Sequence, residues 1–328
     1  MMAMLWAILL MTAMAGCSTT AERPSPPPPS PAAAPAAWGA GTVLDTRTGQ
    51  PIPLATLLET LGGADVIYLG EEHHNQHHIE SALTVVRFLT DRGRRPVLGL
   101  EMFSWDGQAA LDRQVSADPM PTPEFLEVVK WAPNWGGPYE HYAPLVAAAK
   151  AQGLRLRALN APRPLVRKVA KEGLARAVEL PEVSAWGMRP DELVDDPAYR
   201  TTILDQLKAC HGGGGEERHF VMMYEASLFR DEAMARTLAQ EVRTTRAQGD
   251  PAAGPVVSYT GGGHIQYRLP IPNRVARRVG DATRQVSVYL ASAEQDRAEE
   301  VQEWIQRRIA DYIWLTPVGA HGPPARCR

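Results

Sequence analysis

The residues best suited to chemistry lie in one run, Gly70-Glu71-Glu72-His73-His74-Asn75-Gln76-His77-His78, which holds four of the nine histidines within six positions. Imidazoles titrate near neutral pH and ligate transition metals, and an adjacent carboxylate fixes which nitrogen carries the proton. A helix starting at His73 would set His73 with His77, and His74 with His78, on shared faces. That spacing suits a divalent metal ion held by His73, His77 and a third group such as His264. A second run, Tyr259-Thr260-Gly261-Gly262-Gly263-His264, repeats the form, so that Gly70-x-x-His73 is echoed by Gly261-x-x-His264. Glycines there admit close backbone approach to a ligand. No Lys-Ser/Thr pair follows them, so a nucleotide P-loop is excluded. There is no HExxH and no Gly-x-Ser-x-Gly, which argues against a simple zinc protease and a serine-esterase elbow.

Each of these runs follows a short apolar segment. Residues 65–69 (DVIYL) read as a strand ending at Gly70, and 96–103 (PVLGLEMF) as a second strand carrying Glu101. Residues 254–260 precede the Gly261 turn, and 154–159, 284–290 and 312–315 are further strands. Between the first two, Ile79, Leu83, Val86 and Leu89 recur at helical spacing over about 76–92. Shorter helices are predicted near 108–115, 122–130 and 138–152. Strand–helix alternation at these distances predicts an α/β fold, a largely parallel β-sheet flanked by helices. From about 163 to 248 no strand pattern appears, only helical segments at 163–177, 198–210 and 219–245. This predicts a smaller all-helical subdomain inserted in the domain. In a parallel sheet the carboxyl ends of the strands share one rim, which brings Glu71, Glu101 and both Gly-x-x-His turns together. The segment Trp131–Tyr142 adds two Trp, two Tyr and His141 in twelve residues. It is either an apolar wall for a planar ligand or a structural cluster closing a loop.

Val66 to His73 (VIYLGEEH), with His77 and His78, then Leu98 to Phe103 (LGLEMF), Arg230 to Ala235 (RDEAMA) and the Gly-Gly-Gly-His264 turn, resemble the ChaN family of haem-binding lipoproteins in the Tiki superfamily. The resemblance runs in order from about Leu54 to Pro317. It implies a haem cofactor held by Tyr and His, a homodimer, and a role in haem or iron uptake alongside an outer-membrane transporter. On this sequence the haem residues it points to are Tyr224, His73 and His264, with Gly70, Gly261 and Asp231 around them. Tyr224 shares a helical stripe with Phe220, Ser227, Asp231 and Met234, and Tyr259 and Tyr267 compete with it as ligands. Ser227 stands where the family pattern carries a polar amide. The superfamily's esterase branch implies the alternative function, a hydrolase in which Glu71 or Glu101 is the general base and His73 and His264 bind a divalent metal or stabilise an oxyanion.

The N-terminal stretch reads as targeting. Leu5–Gly16 is an apolar run too short to span a bilayer, and Met14-Ala15-Gly16-Cys17 resembles a lipobox. The expected division is a signal peptide at 1–16, a Pro/Ala-rich tether at 17–38 beginning with a lipidated Cys17, and the folded domain at 39–328. Ser18 after the Cys favours the periplasmic face of the outer membrane. A net charge of -3 over 328 residues leaves no electrostatic footprint for nucleic acid. Three cysteines exclude a disulfide scaffold, although Cys210 and Cys327 are a candidate pair.

Overall fold

A computed structural model describes residues 38–189, 193–211, 214–280 and 282–322. The expectations for residues 1–37, including the signal peptide, Cys17 and nearly all of the tether, lie outside the described residues, as does Cys327. Cys210 is disulfide-bonded.

Eight strands form one sheet: β1 Val43–Asp45, β2 Gln50–Ile52, β3 Val66–Glu71, β4 Arg95–Ser104, β5 Arg155–Asn160, β6 Ala253–Gly261, β7 Gln285–Ser292 and β8 Tyr312–Thr316. Their order is β2-β1-β8-β7-β3-β6-β4-β5. The six strands from β8 to β5 run parallel, and β1 and β2 close one edge antiparallel. Sequence periodicity did not disclose β1 and β2, which are three residues each and too short to show alternation.

Alternation along β3 explains the layers. Ile67 and Leu69 face a core that includes Ile79, Val85, Val86 and Leu89 of helix Gln76–Asp91, while Val66 and Tyr68 face the opposite core with Met234, Ala235, Leu238 and Ala239. Those four belong to the 31-residue helix Glu217–Ala247, which packs against β5 and β6. Helices Arg163–Glu172, Leu174–Ala177, Pro181–Trp186 and Pro197–Cys210 precede it, and no strand interrupts this stretch among the described residues. They carry two small cores of their own, one around Val169, Val183 and Phe229 and one around Tyr199, Tyr224 and Leu228.

β3 is the hinge of the topology. The chain leaves it toward β4 and β5 on one side and later returns through β6 to β7 and β8 on the other. Register sets Glu71 opposite Gly261 and Gly70 opposite Thr260. The strand ends expected to share a rim therefore do so.

Candidate functional site: a two-carboxylate, two-histidine rim

Asn75 decides the geometry of the first histidine run. It caps helix Gln76–Asp91, its Oδ1 accepting the His77 N–H at 2.9 Å, while its Nδ2 donates to Ser292 Oγ at 3.1 Å. A cap of this kind is worth about 1 kcal/mol. The helix therefore starts after His73 and His74, not at them, and the shared face anticipated for His73 and His77 does not exist. His74 adopts a left-handed backbone at φ 65°. His77 lies one turn on, with Nδ1 2.9 Å from Glu80 Oε2, apart from His73 and His264. His78 is fully buried, and its Nδ1 accepts the Glu72 N–H at 2.9 Å. Burial lowers its pKa to about 3.

Glu71 organises one half of the rim. Its buried carboxylate accepts the Tyr259 hydroxyl at 2.7 Å and the Tyr142 hydroxyl at 3.0 Å, and lies 2.9 Å from His73 Nδ1. An ionised carboxylate can only accept, so Glu71 takes the Tyr142 and Tyr259 hydroxyls as donors and accepts from His73 as well, which places that proton on Nδ1. In the neutral ring Nε2 of His73 then carries the lone pair, and it has no hydrogen-bond partner among the described residues. The side chain is 46% exposed, and its edge meets Trp135 with ring centroids 4.8 Å apart. Partial burial pulls the His73 pKa down, but Glu71 and Glu101 outweigh it and the net shift is upward.

Glu101 organises the other half. It pairs with Arg230, accepts the Gly261 N–H at 2.7 Å, and sits 3.2 Å from His264 Nε2. His264 Nδ1 is 2.5 Å from Asp231, whose second oxygen accepts the Tyr199 hydroxyl. Burial alone would raise Glu101 and lower His264. The opposite charges reverse both: His264, Arg230 and His73 hold Glu101 well below the usual carboxylate range, and Glu101 with Asp231 raises His264 to about 9. At neutral pH His264 is an imidazolium donating from both nitrogens. In this arrangement it has no lone pair for iron or zinc.

Two glycines make the halves meet. A Cβ on Gly70 would fall 2.5 Å from Ile265 Cδ1, in the turn that crosses the end of β3. A Cβ on Gly261 would lie 2.8 Å from His73 Cε1 and 3.1 Å from Nε2.

Tyr224 stands apart from this centre. It is 1% exposed, its hydroxyl donates to Asp195, and burial with that carboxylate raises its pKa. An axial tyrosinate there requires the hydroxyl to leave Asp195. Tyr259 is likewise committed, to Glu71, whereas Tyr267 is half-buried and lines a cavity of about 600 Å³ with Gly261–His264 and His73. A smaller cavity of about 290 Å³ lies on the other side of His73, against Trp135, Arg163 and Arg230. In the aromatic segment Trp131, Tyr139 and the Tyr142 ring belong to the core with Phe103 and Phe125, while the Tyr142 hydroxyl, Trp135 and His141 reach the rim. Among the described residues no three His, Cys, Asp or Glu side chains are grouped to hold a metal ion, so the divalent-metal site expected from His73, His77 and His264 is not formed.

The sequence assigns no role to Asn160 or Arg163, carries Arg230 only within the RDEAMA run of the family resemblance, and holds Trp135 within the aromatic segment that reads as a ligand wall or a loop cluster. Adjacency to Asp231 was the one available signal for a role of Arg230. Asn160 and Arg163 are brought to the rim only by the fold.

The family of haem-binding uptake proteins of the Tiki superfamily, ChaN, matches residues 57–275, more than half of the chain, and the chain belongs to it. Among solved structures, ChaN of Campylobacter jejuni, described for its cofacial haem binding, superposes with a TM-score of 0.60 at 19% identity over 83% of this chain and 95% of that one. At that identity the likeness establishes the fold. A mutant of the erythromycin esterase EreC in its open conformation gives a TM-score of 0.43 at 13% identity, over 77% and 76% of the two chains. No curated protein sequence matches the chain.

Proposed function

We propose that this chain binds haem for uptake, with the ring seated at the rim and the iron on His73 Nε2. The observation that carries this reading, beside the family, is the state of His73. Its Nδ1 is braced by a buried carboxylate, its Nε2 is unengaged, and an indole stands at its edge. A carboxylate behind Nδ1 makes an imidazole a firmer ligand, and the bound iron would supply the metal centre that the uptake role moves. Cavities on both sides of His73 leave room for a planar ligand wider than either. The lipobox-like Cys17 and the proline-rich stretch after it support a lipid-anchored protein on the periplasmic face of the outer membrane, passing haem to or from a transporter. A homodimer would cover the exposed face of the ring, and light scattering with and without hemin checks it.

The test is a hemin titration followed by absorbance. Wild-type protein is expected to shift the Soret band, His73→Ala to lose the shift, and Tyr224→Phe to retain it. A Tyr224→Phe variant that loses the band while His73→Ala keeps it would overturn this ligand choice.

One observation favours a second reading. His73 Nε2 borders the Gly261 turn, across from Arg230 and His264, the two partners of Glu101. A Glu71–His73 base facing two hydrogen-bond donors is also the layout of a metal-independent hydrolase. Ester hydrolysis by apo protein that disappears in His73→Ala supports it, and a flat trace with a panel of aryl esters removes it.

A further inference from the structure

The 290 Å³ cavity beside His73 has a chemistry of its own. Among the described residues its lining holds two guanidinium groups and no carboxylate. Arg230 is neutralised by Glu101. Arg163 is not: its backbone N–H donates to Asn134 Oδ1 at 3.1 Å, but its guanidinium has no partner among the described residues. Asn134 in turn donates to Ser104 Oγ at 2.7 Å, which ties the start of helix Arg163–Glu172 to the end of β4. The base of the Arg163 side chain is therefore held in place while its charge is left unspent.

Asn160 supplies the second element. It ends β5, is 8% exposed, and its Oδ1 accepts from Arg230 Nε at 3.3 Å. Because the guanidinium can only donate, this contact fixes which amide atom is oxygen. Nδ2 is then a donor without a partner among the described residues, on a buried residue that lines this cavity. Trp135 and Val166 give the apolar part of the lining, and the Trp135 indole N–H is buried without an acceptor. The buried Trp135 N–H, the unpaired Asn160 Nδ2 and the uncompensated Arg163 guanidinium are donors suited to an anion.

We infer that this cavity receives a carboxylate of the ligand, held by Arg163 and the Asn160 amide; on the haem reading, on which this rests, that group is a propionate. The clamp fixes the orientation of the ring, while His73 holds the iron. Binding thus selects for a tetrapyrrole with free acid side chains.

Three ligands separate the two roles: hemin, metal-free protoporphyrin IX, and hemin dimethyl ester, whose propionates are capped. The variants are Arg163→Glu, Asn160→Leu and His73→Ala, with circular dichroism to confirm folding. Arg163 is exposed, so its variant is expected to fold even where Asn160→Leu does not. Arg163→Glu is expected to weaken hemin and protoporphyrin IX by about tenfold or more, the scale of one charge-assisted hydrogen bond, without moving the Soret maximum. The diester should bind wild-type and Arg163→Glu alike, and His73→Ala should lose iron ligation yet still quench protoporphyrin fluorescence. Wild-type affinity for hemin in Arg163→Glu, or equal wild-type affinity for hemin and its diester, would overturn the clamp and leave haem binding standing. Uptake of neither porphyrin by wild-type protein would sink the haem reading and the clamp with it.

Discussion

The two Gly-x-x-His turns have the same spacing, each follows a strand end, and they face each other across the rim, yet their histidines are in opposite states. His264 is 15% exposed and has both nitrogens committed to buried carboxylates. His73 is 46% exposed and has one nitrogen committed and one open. What separates them is the number of acceptors within reach. Glu71 spends most of its capacity on Tyr142 and Tyr259, whereas Glu101 and Asp231 both converge on His264. A histidine with one braced nitrogen is a ligand or base; one with two is a structural cation.

That contrast is breakable at several points. The largest effect expected is on stability, from the closed half. His264→Gln removes the cation shared by the buried Glu101 and Asp231, so urea denaturation should show a loss of about 3 kcal/mol, the lower end of the scale for removing one partner of a buried pair. Retained stability would mean that the Glu101–His264–Asp231 chain is not the charged lock described. The pH dependence follows with its sign. His264 has a folded pKa of about 9 against 6.5 for a free imidazole, so its contribution is full below about 6.5 and lost as pH rises through 9. The limb amounts to roughly 3 kcal/mol at most and should flatten in His264→Gln. His78 gives the opposite limb. Held neutral with a pKa of about 3, it contributes above 6.5 and its share is lost as pH falls toward 3. In the open half, His73→Ala should cost more than the ~100-fold typical of an outer-shell partner in hemin affinity while leaving the melting temperature nearly unchanged. Glu71→Gln should cost ~10–100-fold by the same measure. Smallest of all, His77→Ala should leave hemin affinity within about twofold, because an exposed His77–Glu80 pair is worth well under 1 kcal/mol.

Much of this was legible in the chain because strands and their glycine punctuation are local signals. Residues 65–69 and 254–260 read as strands from their apolar runs, and a parallel sheet then obliges Glu71, Glu101 and Gly261 to meet. The helical character of 163–248 was legible for the same reason. Helix phasing was harder. Whether the helix begins at His73 or Gln76 turns on Asn75, whose capping is stabilised by a bond to Ser292, 217 residues away. The state of the histidines was legible only in part, since Glu71 stands two residues from His73 but the carboxylates that hold His264 come from β4 and the long helix. Tyr224 shows the limit from the other side. Its stripe of mixed polarity reads equally as a ligand face or as a buried hydroxyl, and only Asp195, from a separate segment, decides.

The long helix Glu217–Ala247 supplies Arg230 and Asp231 near its middle and spans about 46 Å at the usual rise. It is a beam loaded at its centre. Its N-terminal half bears on the insertion through Tyr224 and Leu228, and its C-terminal half on the sheet through Leu238 and Val242. Amide hydrogen exchange over this one element would therefore report occupancy of a cavity that touches it at a single residue.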